Sequence, residues 1–201
     1  MKNVLLIVDP QNDFITGTLA VEGAEVAMKK LSEYLDNVGE QYDYVCVTMD
    51  SHPEDHMSFV DEGGIWPKHC VVWSEGWDVP KYLDDVLNAH PHVGCYHKGD
   101  SADQEEYSIF DNWEDGLVLT QQIKHLLRND EVYFDVCGIA GDYCVLETLK
   151  GLRKLVGDSY ITVLTDFTAS IDGGEKLTNY LLDNDINFTT DSSLNLQEYV
   201  R

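Results

Sequence analysis

The sequence predicts a doubly wound α/β fold: a mostly parallel six-stranded sheet with helices on both faces, in three α/β/α layers. Short apolar runs rich in β-branched residues recur along the chain, and stretches with helical spacing of apolar residues lie between them. Runs of the first kind suit strands buried on both faces, and their alternation with helices indicates right-handed βαβ units. A length of 201 residues suits a single domain, 1–201.

Each predicted element rests on its own pattern. Four apolar runs predict central strands and two weaker runs predict the remaining pair; the six are 4–9, 44–50, 132–138 and 160–166, then 92–97 and 186–189. Apolar stripes with a helical period predict helices over 24–38, 117–128, 145–156 and 175–184. The stretch 51–80 has weak periodicity, so we expect a long loop that bears functional residues.

Composition excludes several classes of protein. The net charge of −24 repels phosphate backbones and anionic lipid, so we expect neither nucleic acid nor a membrane surface as a partner. No apolar run approaches the ~20 residues of a membrane span, and the first nine residues lack a signal-peptide pattern. Five cysteines at scattered spacings indicate free thiols in a reducing compartment, which predicts a cytoplasmic protein.

Reactive side chains follow four of the predicted strands. Asp9, Asp50 and Lys98 stand at or just past strand ends, and Cys144 lies past a fourth strand, near the start of the next helix. In open α/β sheets, ligands bind beyond the carboxyl ends of the strands. We therefore expect these four side chains to share one rim of the sheet.

Cys144 ends a turn, GIAGDYC at 138–144, that leads into a predicted helix. The positive end of a helix dipole favours the thiolate, and unpaired N–H groups at a helix start can bind an oxyanion. A lone cysteine is by default an inert core residue. We keep that interpretation for Cys46, Cys95 and Cys137, which lie inside predicted strands.

Asp9 and Lys98 each allow two interpretations. A carboxylate that ends a buried strand needs a partner or a cleft, so Asp9 can be a general base for Cys144. It can equally cap a turn, as Asp13 can, and spacing leaves the choice open. Lys98 beside a Cys/Asp pair would favour the thiolate and stabilise the carboxylate. Taken alone, Lys98 is an exposed surface lysine.

Asp50, His52 and His69 form a candidate metal set. Two imidazoles and a carboxylate suit Zn²⁺, Fe²⁺ or Mn²⁺ with positions left for water or substrate. The 1,3 spacing of Asp50 and His52 places both on one side of an extended segment. Without a metal, these three and His56 are ordinary polar loop residues. Cys70 would point away from His69 in an extended segment, so we expect it to pack in the core.

Three aromatic residues flank these groups in the sequence. Phe14, Trp66 and Tyr143 can wall a pocket for a flat ring. Any one of them alone would be assigned to core packing.

Together these segments resemble the nicotinamidase/pyrazinamidase family of isochorismatase-like cysteine hydrolases. The motifs occur in family order from residue 4 to about 190. They are DPQNDF at 9–14, DSHP at 50–53 with HMSF at 56–59, WPKHCV at 66–71, KG at 98–99 with YSIF at 107–110, and GIAGDYCV at 138–145. Any single motif is modest, but the ordered set is specific and implies the isochorismatase-like α/β/α fold.

The resemblance implies a catalytic triad and an oxyanion site. Cys144 would be the nucleophile, Asp9 the proton acceptor and Lys98 their electrostatic partner. A cis peptide bond between Ile139 and Ala140 is implied as well. It would aim the backbone N–H groups of Ala140 and Cys144 at the oxyanion.

The resemblance also implies a cofactor and a substrate. One divalent metal ion, zinc in first place with iron or manganese as alternatives, would bind Asp50, His52 and His69, with His56 supporting them through hydrogen bonds. Nicotinamide would be hydrolysed to nicotinate and ammonia through a cysteine thioester, in NAD salvage, with pyrazinamide as a further substrate. Phe14, Trp66 and Tyr143 would pack around the ring. Relatives commonly form homo-oligomers, so we expect one here.

The chain departs from the family pattern at three places. Ser51 stands where an aromatic residue is usual, Gly141 where threonine is common, and VWSEGW at 72–77 replaces a Gly-Thr turn. Two alternatives therefore remain. One is a superfamily hydrolase of another small amide or an enol ether, although such relatives generally lack this metal set. The other is a catalytically inactive α/β binding module, against which the retained reactive residues argue.

Overall fold

The computed structural model describes residues 1–157 and 160–189, and the predicted doubly wound α/β fold is confirmed. Six strands form one sheet in the order β3-β2-β1-β4-β5-β6, and each neighbouring pair is parallel. The strand order reverses between β1 and β4, which is the switch point of such a sheet. The strands are β1 (Lys2–Val8), β2 (Tyr44–Asp50), β3 (Val93–Lys98), β4 (Val132–Ile139), β5 (Ile161–Ala169) and β6 (Asn187–Phe188).

Helices cover both faces of the sheet. On one face, the core joins alternate β1 side chains such as Leu5 to Met28 and Leu83; on the other, it joins their neighbours such as Leu6 to Leu149. Strand β1 is therefore buried on both sides, as its continuous apolar run predicts. The helices are α1 (Asn12–Ile15), α2 (Ala24–Val38), α3 (Lys81–Ala89), α4 (Asp115–Asn129), α5 (Leu146–Val156) and α6 (Glu175–Asp183).

The structure adds elements that the sequence patterns missed. Helix α3 follows directly after the stretch assigned to a loop, and its buried stripe consists of only Leu83 and Leu87. One turn of π-helix, Gly141–Val145, precedes α5 and contains Cys144. Strand β5 runs three residues past the predicted end at Asp166, to Ala169.

One cysteine assignment is wrong. Cys46 and Cys137 are buried as expected, but Cys95 is exposed. Strand β3 lies at the edge of the sheet, so its side chains lack the cover that a second neighbouring strand gives. None of the helices in the described ranges combines the length and the apolar character needed to cross a membrane. The single domain 1–201 stays a prediction, since its last twelve residues lie outside the described part.

Candidate active site

The carboxyl ends of four adjacent strands converge on one site. Asp9 follows β1, Asp50 and Lys98 end β2 and β3, and Cys144 follows β4 after the π-helical turn. These strands are neighbours in the order β3-β2-β1-β4. The predicted rim therefore exists, and all four of its side chains are buried.

Lys98 is the centre of this cluster. Its Nζ lies 2.8 Å from Asp9 Oδ2 and 3.6 Å from Cys144 Sγ. The same ammonium forms an ion pair with Asp50 Oδ1. One carboxylate oxygen each from Asp9 and Asp50 and the Cys144 sulfur lie within 4.8 Å of one another. The solvent-exposed alternative for Lys98 is wrong, since its side chain is fully buried.

The backbone at Asp9 turns sharply out of the strand. Its φ is +48°, in the left-handed region that few non-glycine residues adopt. The hydroxyl of Thr48, on the neighbouring strand β2, donates to Asp9 Oδ1 at 2.6 Å, and the Asp9 N–H donates to the Thr48 carbonyl at 3.0 Å. Thr48 thus fixes the carboxylate of Asp9, and the Oδ2 atom of Asp9 faces Lys98.

Burial controls the protonation of these groups. It raises the pKa of the Asp9 carboxyl, and the attraction of Lys98 opposes the rise without cancelling it. Burial also raises the pKa of the Cys144 thiol well above its ordinary value, and the carboxylates of Asp9 and Asp50 add to the rise. Lys98 lowers the pKa of the thiol, as expected, but its attraction does not offset the effect of burial. Cys144 needs a base to remove its proton, and Asp9 is positioned for that.

Lys98 and Asp50 keep their charges in this buried setting. Desolvation acts against both, yet Asp50 and Asp9 hold the pKa of Lys98 well above its ordinary value. The positive charge of Lys98 holds the pKa of Asp50 below its ordinary range, and His52 adds a smaller effect in the same direction. The cluster therefore has a fixed cation between two carboxylates.

Two features fix the turn that carries Cys144: hydrogen bonds to Ala140, which directly precedes the turn, and a close approach to the neighbouring strand. The carbonyl of Ala140 accepts hydrogen bonds from the N–H groups of Tyr143 at 3.1 Å and Val145 at 3.0 Å. The peptide bond between Ile139 and Ala140 is cis, as the resemblance implied. Gly138 has φ +127°, and a Cβ there would lie 2.0 Å from the carbonyl oxygen of Val8. Only glycine lets the strands approach so closely before the turn.

The three predicted metal ligands converge. Asp50, His52 and His69 each offer one ligand atom, and these atoms lie within 4.8 Å of one another. Both imidazoles use Nδ1 in hydrogen bonds to backbone carbonyls, that of His52 to Gly99 at 2.8 Å and that of His69 to Pro67 at 2.7 Å. This orients the rings and leaves both Nε2 atoms for a metal. The donor set fits a divalent ion such as zinc.

His56 supports the metal set differently from our expectation. Its ring stacks on that of His52 with centroids 4.0 Å apart, and its hydrogen bonds go to Ser58 Oγ at 2.7 Å and the Gln104 carbonyl at 3.0 Å. Burial lowers the pKa of His56 to about 4, so the ring is neutral at pH 7. It orients His52 by packing and not by a hydrogen bond.

Cys70 packs in the core, as expected, but the geometric reason differs. The residue has φ +46°, so the chain at His69 is kinked and not extended. The Asp13 carboxylate holds this kink, since its Oδ2 accepts a hydrogen bond from the Cys70 N–H at 2.8 Å. Its Oδ1 accepts a second one from the Thr18 N–H at 3.0 Å. The Asp13 carboxylate thereby joins the loop of the predicted metal ligand His69 to helix α1.

A cavity opens over the sulfur of Cys144. Residues of the turn that carries Cys144, two of the predicted metal ligands and several aromatic rings line it. The predicted ring-binding residues Phe14, Trp66 and Tyr143 all line it. The complete lining is Phe14, Leu19, Asp50, Trp66, His69, Glu105, Tyr107, Ala140, Tyr143, Cys144 and Ile171.

Sequence reasoning missed several contributors to this cavity. Tyr107 accepts a hydrogen bond from the Trp66 indole at 3.2 Å and thereby fixes that ring. Glu105 is a half-buried carboxylate whose pKa is raised by burial and then by Asp50. Both residues follow Lys98 within ten positions, in an irregular segment, and the YSIF motif at 107–110 was the available signal for Tyr107.

Comparison with known proteins decides the family. No family model matches the chain. The nicotinamidase of Saccharomyces cerevisiae is 31% identical over 205 residues, which cover 87% of this chain and 91% of the yeast protein. The chain belongs to the nicotinamidase family. Among solved nicotinamidase-like structures, PnC1 from L. infantum in complex with nicotinate superposes with a TM-score of 0.80 at 29% identity, over 96% of this chain and 94% of that one.

A second structure bears on the metal. The pyrazinamidase of Pyrococcus horikoshii, crystallised in complex with zinc, has a TM-score of 0.74 and 28% identity, and the match covers 94% of this chain and 99% of that one.

Within the nicotinamidase family, the glycine at position 141 now has a physical reason. A Cβ at Gly141 would lie 2.1 Å from Ser170 Oγ, so the serine hydroxyl fills the space that a larger residue would need.

Proposed function

We propose that this chain is a nicotinamidase, which hydrolyses nicotinamide to nicotinate and ammonia. The observation that carries the proposal is the contact of Lys98 Nζ with both Asp9 and Cys144, because Cys144 also lines the aromatic cavity. A yeast nicotinamidase that aligns with most of the chain supports it. The reaction would serve NAD salvage.

We assign the chemical step to Cys144 and Asp9. The thiol transfers its proton to Asp9 as the sulfur attacks the carboxamide carbon, and the oxyanion receives hydrogen bonds from the N–H groups of Ala140 and Cys144. The C–N bond then breaks, and the leaving nitrogen takes the proton from Asp9 and departs as ammonia. A thioester between substrate and Cys144 remains.

Water completes the cycle. Asp9 accepts a proton from the water as its oxygen attacks the thioester carbon. The C–S bond breaks, the sulfur recovers the proton from Asp9, and the acid leaves and ionises to nicotinate. The raised pKa of Asp9 suits a base that gains and returns a proton twice in each turnover. Lys98 keeps its charge throughout and limits the build-up of negative charge between Asp9 and Cys144.

Asp50, His52 and His69 would hold the divalent ion, for which zinc is our first choice. When bound, the ion would act as a Lewis acid beside the cavity, able to coordinate the ring nitrogen of the substrate. Phe14, Trp66 and Tyr143 provide the flat apolar walls for that ring. Pyrazinamide has the same carboxamide on a ring of the same size, so we expect it to be a second substrate.

The remaining assignments concern the cell and the assembly. We place the enzyme in the cytoplasm, since all five cysteines are free. The charge of −24 argues against nucleic acid as a partner. A homo-oligomer is proposed by analogy with the family.

Ammonia release tests the function directly. The purified protein is incubated with nicotinamide, and wild type is compared with Cys144→Ala, with and without a chelator. We expect metal-dependent release that the substitution abolishes. Turnover of a different small amide together with inactivity on nicotinamide would favour another superfamily hydrolase. Inactivity on every amide, with ligand binding retained, would favour the binding module.

A further inference from the structure

Two of the places where the sequence departs from the family pattern touch each other. The indole N–H of Trp77, in the departing segment 72–77, donates to the hydroxyl of Ser51 at 2.9 Å. The Ser51 hydroxyl in turn lies 2.8 Å from His97 Nδ1. The Ser51 hydroxyl therefore accepts from Trp77 and shares a second hydrogen bond with His97. The result is a chain of hydrogen bonds from Trp77 through Ser51 to His97.

The ring of Trp77 reinforces this chain. It stacks on His97 with centroids 5.7 Å apart and an interplanar angle of 21°. His97 belongs to β3 and pairs in register with Met49 of β2, so its position is fixed by the sheet. The imidazole of His97 thus gives the indole a fixed packing partner, and the indole N–H is directed at Ser51.

Trp77 also reaches the same segment through its backbone. The side-chain amide of Gln11 donates from Nε2 to the carbonyl of Trp77 at 2.9 Å and to the carbonyl of Asp50 at 2.8 Å. Its Oε1 accepts from the Asp50 N–H at 2.8 Å. Gln11 is fully buried. The backbone of Asp50 is therefore bound on one side by Gln11, while the next residue is bound by the Trp77 indole.

We propose that Trp77 is a positioning residue for the metal ligands Asp50 and His52. Ser51 stands between these ligands, and it makes the contact with the indole. Fixing the Ser51 hydroxyl and the Asp50 backbone together restricts the rotation that would separate the two ligands. Trp77 is absent from the residues that line the cavity, so its effect reaches the reaction only through the ligands. The inference rests on the proposed function in taking this set as the metal site.

A double-mutant cycle measured by zinc affinity tests it. Trp77→Phe keeps a ring on His97 and removes the indole N–H, and Ser51→Ala removes the acceptor. We expect each variant to bind zinc about tenfold more weakly in competition with a chromophoric chelator, as is typical when a supporting contact of a metal ligand is lost. The double variant should bind zinc no more weakly than Ser51→Ala alone, because Ser51→Ala already removes the acceptor of the indole N–H together with the contact to His97. Trp113→Phe is the matched control, since that indole belongs to another segment and is 74% exposed, and its affinity should stay within twofold of wild type.

Cobalt provides a signature that a merely structural role would not change. The visible absorption of the Co²⁺-loaded protein reports ligand geometry, and it should shift in Trp77→Phe and not in Trp113→Phe. Unchanged affinity and spectrum in Trp77→Phe, or losses that multiply in the double variant, would overturn the inference. So would a wild-type protein that binds no zinc. Zinc binding without nicotinamide hydrolysis would overturn the proposed function alone and leave the role of Trp77 standing.

Discussion

The ammonium of Lys98 lies 3.6 Å from the sulfur of Cys144, although the strand that ends at Lys98 and the strand that precedes Cys144 are separated by two others. Lys98 ends the edge strand β3, and its ammonium pairs with Asp50 at the end of β2 and with Asp9 just past β1. One buried cation therefore compensates two buried carboxylates and adjoins the nucleophile. Most of the behaviour expected of this site follows from that arrangement.

Replacing Lys98 by Met should destabilise the fold as well as abolish hydrolysis. Removing one partner of a buried ion pair leaves an uncompensated charge and costs about 3–5 kcal/mol. We expect a loss of that size in the free energy of unfolding, measured by urea denaturation. Lys81→Met is the control, because its side chain is 85% exposed and pairs with Asp85 on the surface. Equal stability of the two variants would contradict the buried pairing.

Replacing Cys144 by Ala should remove hydrolysis and leave nicotinamide binding intact. The loss of a nucleophile lowers turnover by at least about 10³-fold. Ammonia release measures the first effect and calorimetry the second. Cys95→Ala should keep wild-type turnover, since that thiol is exposed and lies on the edge strand β3. A mass increase on residue 144 in rapidly quenched wild-type protein is expected from the thioester. Wild-type turnover by Cys144→Ala would exclude covalent catalysis.

Removal of the metal should stop hydrolysis reversibly. After dialysis against a chelator, activity should return with zinc, iron or manganese, and their order of effectiveness identifies the preferred ion. Zinc at 100 times its dissociation constant should raise the free energy of unfolding by about 2.7 kcal/mol. His69→Ala should lose this stabilisation. His56→Ala should retain most of it, because His56 stacks on His52 and its ring nitrogens bind Ser58 and Gln104. Equal losses in both variants would make His56 a ligand.

Gly138→Ala should weaken the fold by about 3 kcal/mol, from left-handed backbone strain together with overpacking. Its Cβ would lie 2.0 Å from the Val8 carbonyl oxygen, which belongs to the backbone and cannot move aside. Gly23→Ala separates the two contributions. That residue also has a positive φ, +80°, yet an added Cβ meets nothing within 4 Å, so we expect a loss of only about 1 kcal/mol there. Urea denaturation of both variants gives the comparison, and equal losses would refute the steric part.

Much of the fold could be predicted because its signals are local. The continuous apolar run at 4–8 indicates a strand buried on both faces, and the structure places it between two cores. Helix α3 escaped detection because only Leu83 and Leu87 are buried in it. The exposure of Cys95 could not be foreseen either, since position in the sheet order depends on which strands pair and not on the composition of β3.

The site divides in the same way. Reactive residues at strand ends could be placed together, because parallel strands share one rim. The raised pKa of the Cys144 thiol could not be anticipated, since burial depends on the packing of residues distant in sequence. The hydrogen bond between Trp77 and Ser51 spans 26 positions, and both residues stand where the chain departs from the family pattern, so no motif predicts their contact.

Asp50 uses its two carboxylate oxygens for different tasks. Oδ1 pairs with Lys98, and Oδ2 lies 3.6 Å from His52 Nε2. The Lys98 cluster and the candidate metal set therefore share one side chain, and a change at position 50 disturbs both. An engineer who wishes to change the preferred ion is left with positions 52 and 69. A substitution at position 50 would remove both the partner of Lys98 and one candidate ligand of the metal.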